Sequence, residues 1–159
     1  MKVFLTVGSM LPFDRLVRAM DIWAKERPDS QIFAQIGETS LRPVNIEYSA
    51  MISPSAYRKR FADCDLVVSH VGMGTVITAL ELSKPLVMLP RRADFQEVTS
   101  NHQIATAQWL EGRPGVHLVY SEDELGSAIS KSIGSIGVSK IETGTREQLI
   151  SALRQFISN

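Results

Sequence analysis

Leu66-Val67-Val68-Ser69-His70-Val71-Gly72-Met73-Gly74-Thr75 is the stretch that decides the fold. Leu66 to Ser69 is a short apolar run with the β-branched content of a strand buried on both faces. Two glycines then turn the chain, and from Gly74 to Leu82 the spacing predicts a helix. Working outward, Val3 to Val7 is a second buried strand, broken at Gly8. Leu16, Val17, Met20 and Trp23 place a helix over Phe13 to Lys25, closed by Pro28. Strands follow at Gln31 to Ile36 and Ile46 to Ser49. Ser53-Pro54 opens a helix carrying Tyr57 and Phe61, with Ser53 as cap and Pro54 at its first position.

Downstream, Pro85 to Leu89 is a strand ended by Pro90, and Asn101 to Glu111 is a helix. Val116 to Tyr120 is a further strand, and Ser121 with Glu124 forms a capping box for the next helix. A weak segment from Gly134 to Gly144 precedes an amphipathic helix over Thr145 to Ile157. Strands alternating with helices at this spacing predict an α/β fold: one Rossmann-like domain over residues 1–159, a parallel sheet with helices on both faces. Ligands of such sheets bind beyond the carboxyl ends of the strands.

Composition narrows the function classes. With 44% hydrophobic residues the chain can bury a core, which excludes disorder. Seventeen basic residues balance seventeen acidic ones, so no bulk attraction to nucleic acid is expected. Cys64 is the single cysteine, which excludes an internal disulfide and suits a reducing cytoplasm. Between Asp63 and Asp65 its thiol pKa should be raised, and the expected role is structural. The longest stretch free of Asp, Glu, Lys and Arg, Leu66 to Leu80, is too short and too polar for a membrane span. Met1-Lys2 leads straight into a strand pattern, so no signal peptide is expected. No His, Cys and carboxylate set has metal-site spacing, and no metal is expected.

The glycine turn carries the chemistry. A helix start offers unpaired N–H groups and a dipole that favours phosphate. Thr75 adds a hydroxyl, and His70 can donate from a ring nitrogen. The motif is neither a P-loop, lacking Gly-Lys-Ser/Thr, nor a dinucleotide G-x-G-x-x-G, whose third glycine would fall at Ile77. A tight turn that needs glycine for its dihedrals is the competing reading.

Taken together, Ser69-His70-Val71-Gly72-Met73-Gly74-Thr75, Lys84-Pro85, Pro90-Arg91-Arg92 and Asn101-His102-Gln103 resemble the C-terminal, donor-binding half of family 28 glycosyltransferases. The resemblance is closest to the small split catalytic subunits: that of the eukaryotic dolichol-linked GlcNAc transferase and its bacterial exopolysaccharide counterparts. Thr6-Val7-Gly8-Ser9 and Pro12-Phe13-Asp14-Arg15-Leu16 resemble their opening. This similarity implies the C-terminal half of a GT-B enzyme that binds a UDP-sugar as substrate, with no cofactor. Gly8 and Ser9 would line the cleft mouth, and the loop at Met51 to Ser53, with Ile52 at its centre, would pack on uracil. His70, Gly72, Met73, Gly74 and Thr75 would hold the diphosphate. Asn101, His102 and Gln103 would face the sugar. Arg91 and Arg92 would neutralise phosphate or lie in a solvated loop, and His102 has a helix cap as its alternative.

One departure stands out. The family commonly has Glu eight positions after the histidine, gripping the ribose; here Thr78 occupies that place, with Glu81 one turn on as a candidate substitute. Asp94 and Glu97 read as loop charges and His117 as structural, so the catalytic base is unassigned. The resemblance implies a missing acceptor half: a membrane-anchored partner subunit that recruits this chain to the cytoplasmic membrane face, where a lipid-linked acceptor waits. An apolar patch for that partner is expected, with Leu149, Ile150, Leu153, Phe156 and Ile157 of the last helix as candidates beside a plain sheet-covering role. A single-domain UDP-sugar hydrolase or epimerase-like enzyme and a non-catalytic nucleotide-binding regulator remain as alternatives.

Overall fold

A computed structural model describes residues 1–135, 147–148, 150–151 and 154–155. The elements run β1 (Lys2–Thr6), α1 (Asp14–Lys25), β2 (Gln31–Gln35), β3 (Glu47–Ser49), α2 (Pro54–Asp63), β4 (Leu66–His70), α3 (Met73–Glu81), β5 (Leu86–Leu89), α4 (His102–Leu110), β6 (Val116–Leu118) and α5 (Leu125–Ser135). All sheet pairings are parallel, in the order β3-β2-β1-β4-β5-β6. This is the doubly wound arrangement. Strand order reverses between β1 and β4, and a crevice opens there beyond the strand ends.

Alternation along the central strands feeds two cores. Val3 and Leu5 of β1, Leu66 and Val68 of β4, and Val87 and Leu89 of β5 pack against α1 and α5. Phe4, Val67, Leu86 and Met88 point the other way, onto Phe61 of α2, Val76 and Leu80 of α3, and Leu110 of α4. Both faces of these strands are therefore covered, which is why they read as unbroken apolar runs. Full burial of one such side chain stabilises the fold by about 1.5–3 kcal/mol.

The element boundaries expected from sequence hold to within a residue or two. Phe13 lies just outside α1, at its cap position, with its ring buried beneath the guanidinium of Arg91. Strand β6 ends at Leu118 rather than Tyr120, because the capping box begins there. Glu124 accepts from the backbone N–H groups of Tyr120 and Ser121, and the chain passes through a 3-10 turn into α5. Ser53 caps α2 through its hydroxyl, as expected. Gly134 does not break α5, which continues to Ser135. The rest of the weak segment, and Leu149, Leu153, Phe156 and Ile157 of the last helix, lie outside the described residues. Ile150 packs on the core formed by α2, α3 and α4, the sheet-covering role. Cys64 is buried and its thiol donates to the Phe61 carbonyl. Burial, more than Asp65, pushes that thiol up to about 11.

Candidate functional site

At the switch point the chain forms a cleft of about 670 Å3. Its floor is the turn between β4 and α3, one wall is the loop after β1, and the other is the loop from β3 into α2. The start of α4 closes the far side. Gly8, Ser9, Ile52, His70, Gly72, Gly74, Thr75, Thr78, Arg91, His102 and Gln103 all line it. Residues separated by up to 95 positions thus converge in one place.

Gly72 and Gly74 turn out to have different jobs. A Cβ on Gly72 would stand 2.3 Å from Nε2 of His70, and one on Gly8 would stand 2.7 Å from Cε1 of the same ring. Gly8 also has φ +82°, a left-handed conformation that favours glycine. The imidazole is therefore held between two glycines. Gly74 differs, because a Cβ there would meet no atom within 4 Å. It is the second residue of α3, where glycine is a poor helix former. Neither packing nor dihedrals require it, and what the missing methyl leaves is open space at the helix N-terminus.

That terminus is unfilled. Gly72, at the cap position, has no side chain to satisfy the first-turn N–H groups, and intrahelical bonding begins with Val76 donating to the Gly72 carbonyl. No acidic residue occupies the first turn. Thr75 is buried, 3.4 Å from the hydroxyl of Tyr57. The site thus combines free N–H groups, the positive end of a helix dipole and open space, the requirements of a phosphate seat.

His70 is neutral at physiological pH. Burial, and secondly the nearby Arg91 cation, lower its pKa to about 4. Its Nδ1 is buried without a hydrogen-bond partner among the described residues. A neutral imidazole keeps one donor nitrogen and one acceptor.

Several expected ligands have their polar groups engaged by the protein itself. Arg91 is almost wholly buried, and its guanidinium donates to the carbonyls of Val7, Leu11 and Pro12, so its donors are engaged by backbone rather than held out to an anion. Arg92 is exposed and pairs with Asp94 at 2.6 Å. The Met73 side chain packs against the core, while its backbone N–H belongs to the first turn of α3. Asn101 is not a cleft residue; its Oδ1 accepts from the Ala93 N–H. Glu81 is also outside the cleft, 3.4 Å from Arg58 on α2. Geometry explains this: α3 presents Gly74, Thr75 and Thr78 to the cleft, and Glu81 lies on the side turned to α2. Thr78 itself donates to the Gly74 carbonyl at 2.9 Å, leaving its oxygen as an acceptor.

On α4, Gln103 is buried with its Oε1 accepting from the Arg91 N–H at 3.0 Å, which leaves its amide NH2 to act as a donor. His102 is exposed, with Nδ1 3.0 Å from the Ser100 hydroxyl. Glu97 is an internal anchor, taking two bonds from Arg15 and one from the Arg92 N–H.

Sequence reasoning missed Gln35 and Tyr57 as cleft residues. Gln35 is buried at the end of β2 and donates to the Gly8 carbonyl at 3.0 Å. A polar residue closing an apolar strand was the available signal. Tyr57 shares an apolar helix face with Phe61 and gave none. No Asp or Glu lines the cleft among the described residues. Nor do the described residues contain a group of three or more His, Cys, Asp or Glu that could hold a metal ion, or a helix long and apolar enough to cross a membrane.

Known proteins place this architecture. The chain is 28% identical over 93 residues to the UDP-N-acetylglucosamine transferase subunit ALG13 of Candida albicans, covering 58% of this chain and 30% of that protein. In three dimensions it is similar to the glycotransferase of kitacinnamycin, with TM-score 0.63 and 23% identity over 97% of this chain and 38% of the other. It is also similar to MurG of Acinetobacter baumannii, with TM-score 0.58 and 16% identity over 96% of this chain and 49% of the other. At these identities the structural likeness speaks for the fold alone. The chain spans less than half the length of each of these proteins. The sequence profile of the glycosyltransferase family 28 C-terminal domain matches residues 2–151, nearly the whole chain, and the chain belongs to that family.

Proposed function

We propose that this chain is the donor-binding subunit of a split glycosyltransferase, moving a sugar (GlcNAc or another hexose or uronic acid) from a UDP-sugar to a lipid-linked acceptor. The observation that carries the reading is the open, uncapped N-terminus of α3 at the switch point, with Gly74 clearing the approach and neutral His70 beside it. In this reading the diphosphate accepts from the first-turn N–H groups, the Thr75 hydroxyl and a His70 ring nitrogen. The uracil packs at Met51 and Ile52. Gln103 offers its NH2 to a sugar hydroxyl, because its oxygen is already engaged by Arg91. The ribose donates to the Thr78 oxygen. The UDP-sugar is the substrate, and the reading assigns no resident cofactor.

Transfer needs a base within reach of the acceptor hydroxyl. No carboxylate lines the cleft among the described residues, and the two histidines there are His70 and His102. That favours a second subunit over a self-sufficient hydrolase or epimerase. The cleft mouth supports the same view: Met10 is 88% exposed, and Leu11 and Met51 are 47% and 45% exposed. Such a rim beside a site is the kind of surface that a partner covers. The partner in this reading is a membrane-anchored subunit that resembles the missing half, holding the chain at the cytoplasmic membrane face.

Competitive calorimetry with UDP, UMP, GDP and ADP tests the donor site. UDP should bind more tightly than UMP and the purine nucleotides, and equal affinities for all four would sink the reading. Sugar transfer from UDP-GlcNAc to a lipid-linked acceptor, assayed with and without a co-expressed partner, tests the split.

A further inference from the structure

The loop after β1 forms one wall of the cleft, yet little of its own backbone holds it. Between Val7 and Phe13 the backbone makes few internal bonds: the Val7 N–H donates to the Gln35 carbonyl and the Phe13 carbonyl accepts from Val17. Gly8 donates to the Thr6 hydroxyl. The loop's carbonyls are instead captured by side chains from other strands. Gln35, ending β2, donates to Gly8. Arg91, just beyond β5, donates to Val7, Leu11 and Pro12, gathering both ends of the loop onto one guanidinium.

Arg91 is unusual in its own right. It is 2% exposed, its hydrogen bonds run to carbonyl groups rather than to a carboxylate, and its guanidinium stacks 4.8 Å above the Phe13 ring. Burying a cation is costly unless the surrounding groups are fixed to receive it. A planar fork with five donors suits several carbonyls at fixed positions better than a lysine ammonium does. Its backbone N–H meanwhile orients Gln103 on the opposite side of the cleft.

We propose that Arg91 is a positioning residue that holds the Gly8–Leu11 wall in its ligand-ready shape, so that nucleotide affinity depends on a side chain whose guanidinium is occupied by backbone. The inference rests on the donor-site reading for its affinity consequence only; loop order is a property of the unliganded chain. Preorganising a loop in its bound shape lowers the ordering cost of binding.

The test compares wild type with Arg91→Met, which keeps length and removes all the donors, and Arg91→Lys. Ile129→Ala is the control, lowering stability from a buried α5 position away from the cleft. Backbone 15N relaxation reports order at Gly8, Ser9, Met10 and Leu11, and calorimetry reports UDP affinity below each variant's melting temperature. In wild type these residues should show order parameters near the rigid value of about 0.85, falling below about 0.6 in Arg91→Met. UDP affinity should fall at least tenfold in Arg91→Met and by less in Arg91→Lys, while Ile129→Ala keeps both wild-type values despite its lower stability. A folded Arg91→Met with unchanged loop order or unchanged affinity overturns the proposal. So does a wild-type loop that is already flexible, a result that needs no variant to fold. If wild type bound no UDP, the donor-site reading would fail, and the order parameters would still decide whether Arg91 braces the loop.

Discussion

Replacing Gly74 with alanine should stabilise the free protein and weaken nucleotide binding, two effects of opposite sign from one methyl group. Gly74 is helical, and a Cβ there meets nothing within 4 Å, so alanine introduces no clash in the unliganded chain. Glycine in a helix costs about 0.5–1 kcal/mol relative to alanine, less near a helix start. At about 2–4 °C per kcal/mol for a domain of this size, melting should rise by about 1–3 °C. The same methyl occupies the space through which a phosphate reaches the N–H groups of α3. Losing a hydrogen bond to a charged group costs about 1.5–3 kcal/mol. At about 1.4 kcal/mol per tenfold, UDP affinity should drop about tenfold to a hundredfold. Gly74→Val should lose at least as much affinity without the gain in stability, because its β-branch is less favourable in a helix. Thermal melts without ligand and calorimetry with UDP measure the two terms separately. An alanine variant that is more stable and binds UDP like wild type would refute the assignment of this helix start as the phosphate seat. A variant that melts earlier would show that the backbone needs glycine after all.

Three further outcomes follow from the geometry. His70 has a folded pKa of about 4 against an ordinary 6.5, so the unfolded chain takes up the proton first as pH falls. Stability should be complete above pH 6.5 and decline toward pH 4, by up to ~3 kcal/mol from this group; chemical unfolding of wild type and His70→Asn across that range should show a shallower slope in the variant. Thr78→Val should weaken UDP binding about fivefold, the value of a neutral hydrogen bond of about 1 kcal/mol, whereas Glu81→Gln should leave it nearly unchanged; calorimetry giving the reverse order would restore Glu81 to the ribose. Arg15→Met should destabilise the fold by about 1–3 kcal/mol in urea titrations, because it strips partners from the half-buried Glu97 and from Glu122.

Much of the fold was legible because its signals are local. Buried parallel strands appear as short apolar runs, and Ser53-Pro54 and Ser121 with Glu124 mark helix starts through contacts within a few residues. The glycine turn was legible as a site for the same reason, since strand, turn and helix start are contiguous. Family resemblance then supplied His102 and Gln103, which local pattern alone would have left as a helix start.

What the sequence left open were questions of direction. Arg91 beside Arg92 looks like a pair of phosphate-neutralising cations, yet one guanidinium is buried on loop carbonyls and the other sits in solvent against Asp94. Glu81 shares a helical turn with Thr78, but α2 stands on its side of α3 and Arg58 meets it there. Gly72 and Gly74 look equivalent in the sequence, whereas one makes room for the His70 ring and the other faces open space. By itself the sequence determined the order of elements, the buried strands and the glycine turn that floors the cleft, because periodicity and capping act between near neighbours. Only the tertiary structure decided which side chains enter the cleft and which hold it together. That choice depends on what stands opposite each residue, and the partners come from distant elements and loops, as in the contact from Arg91 to Val7, 84 residues away.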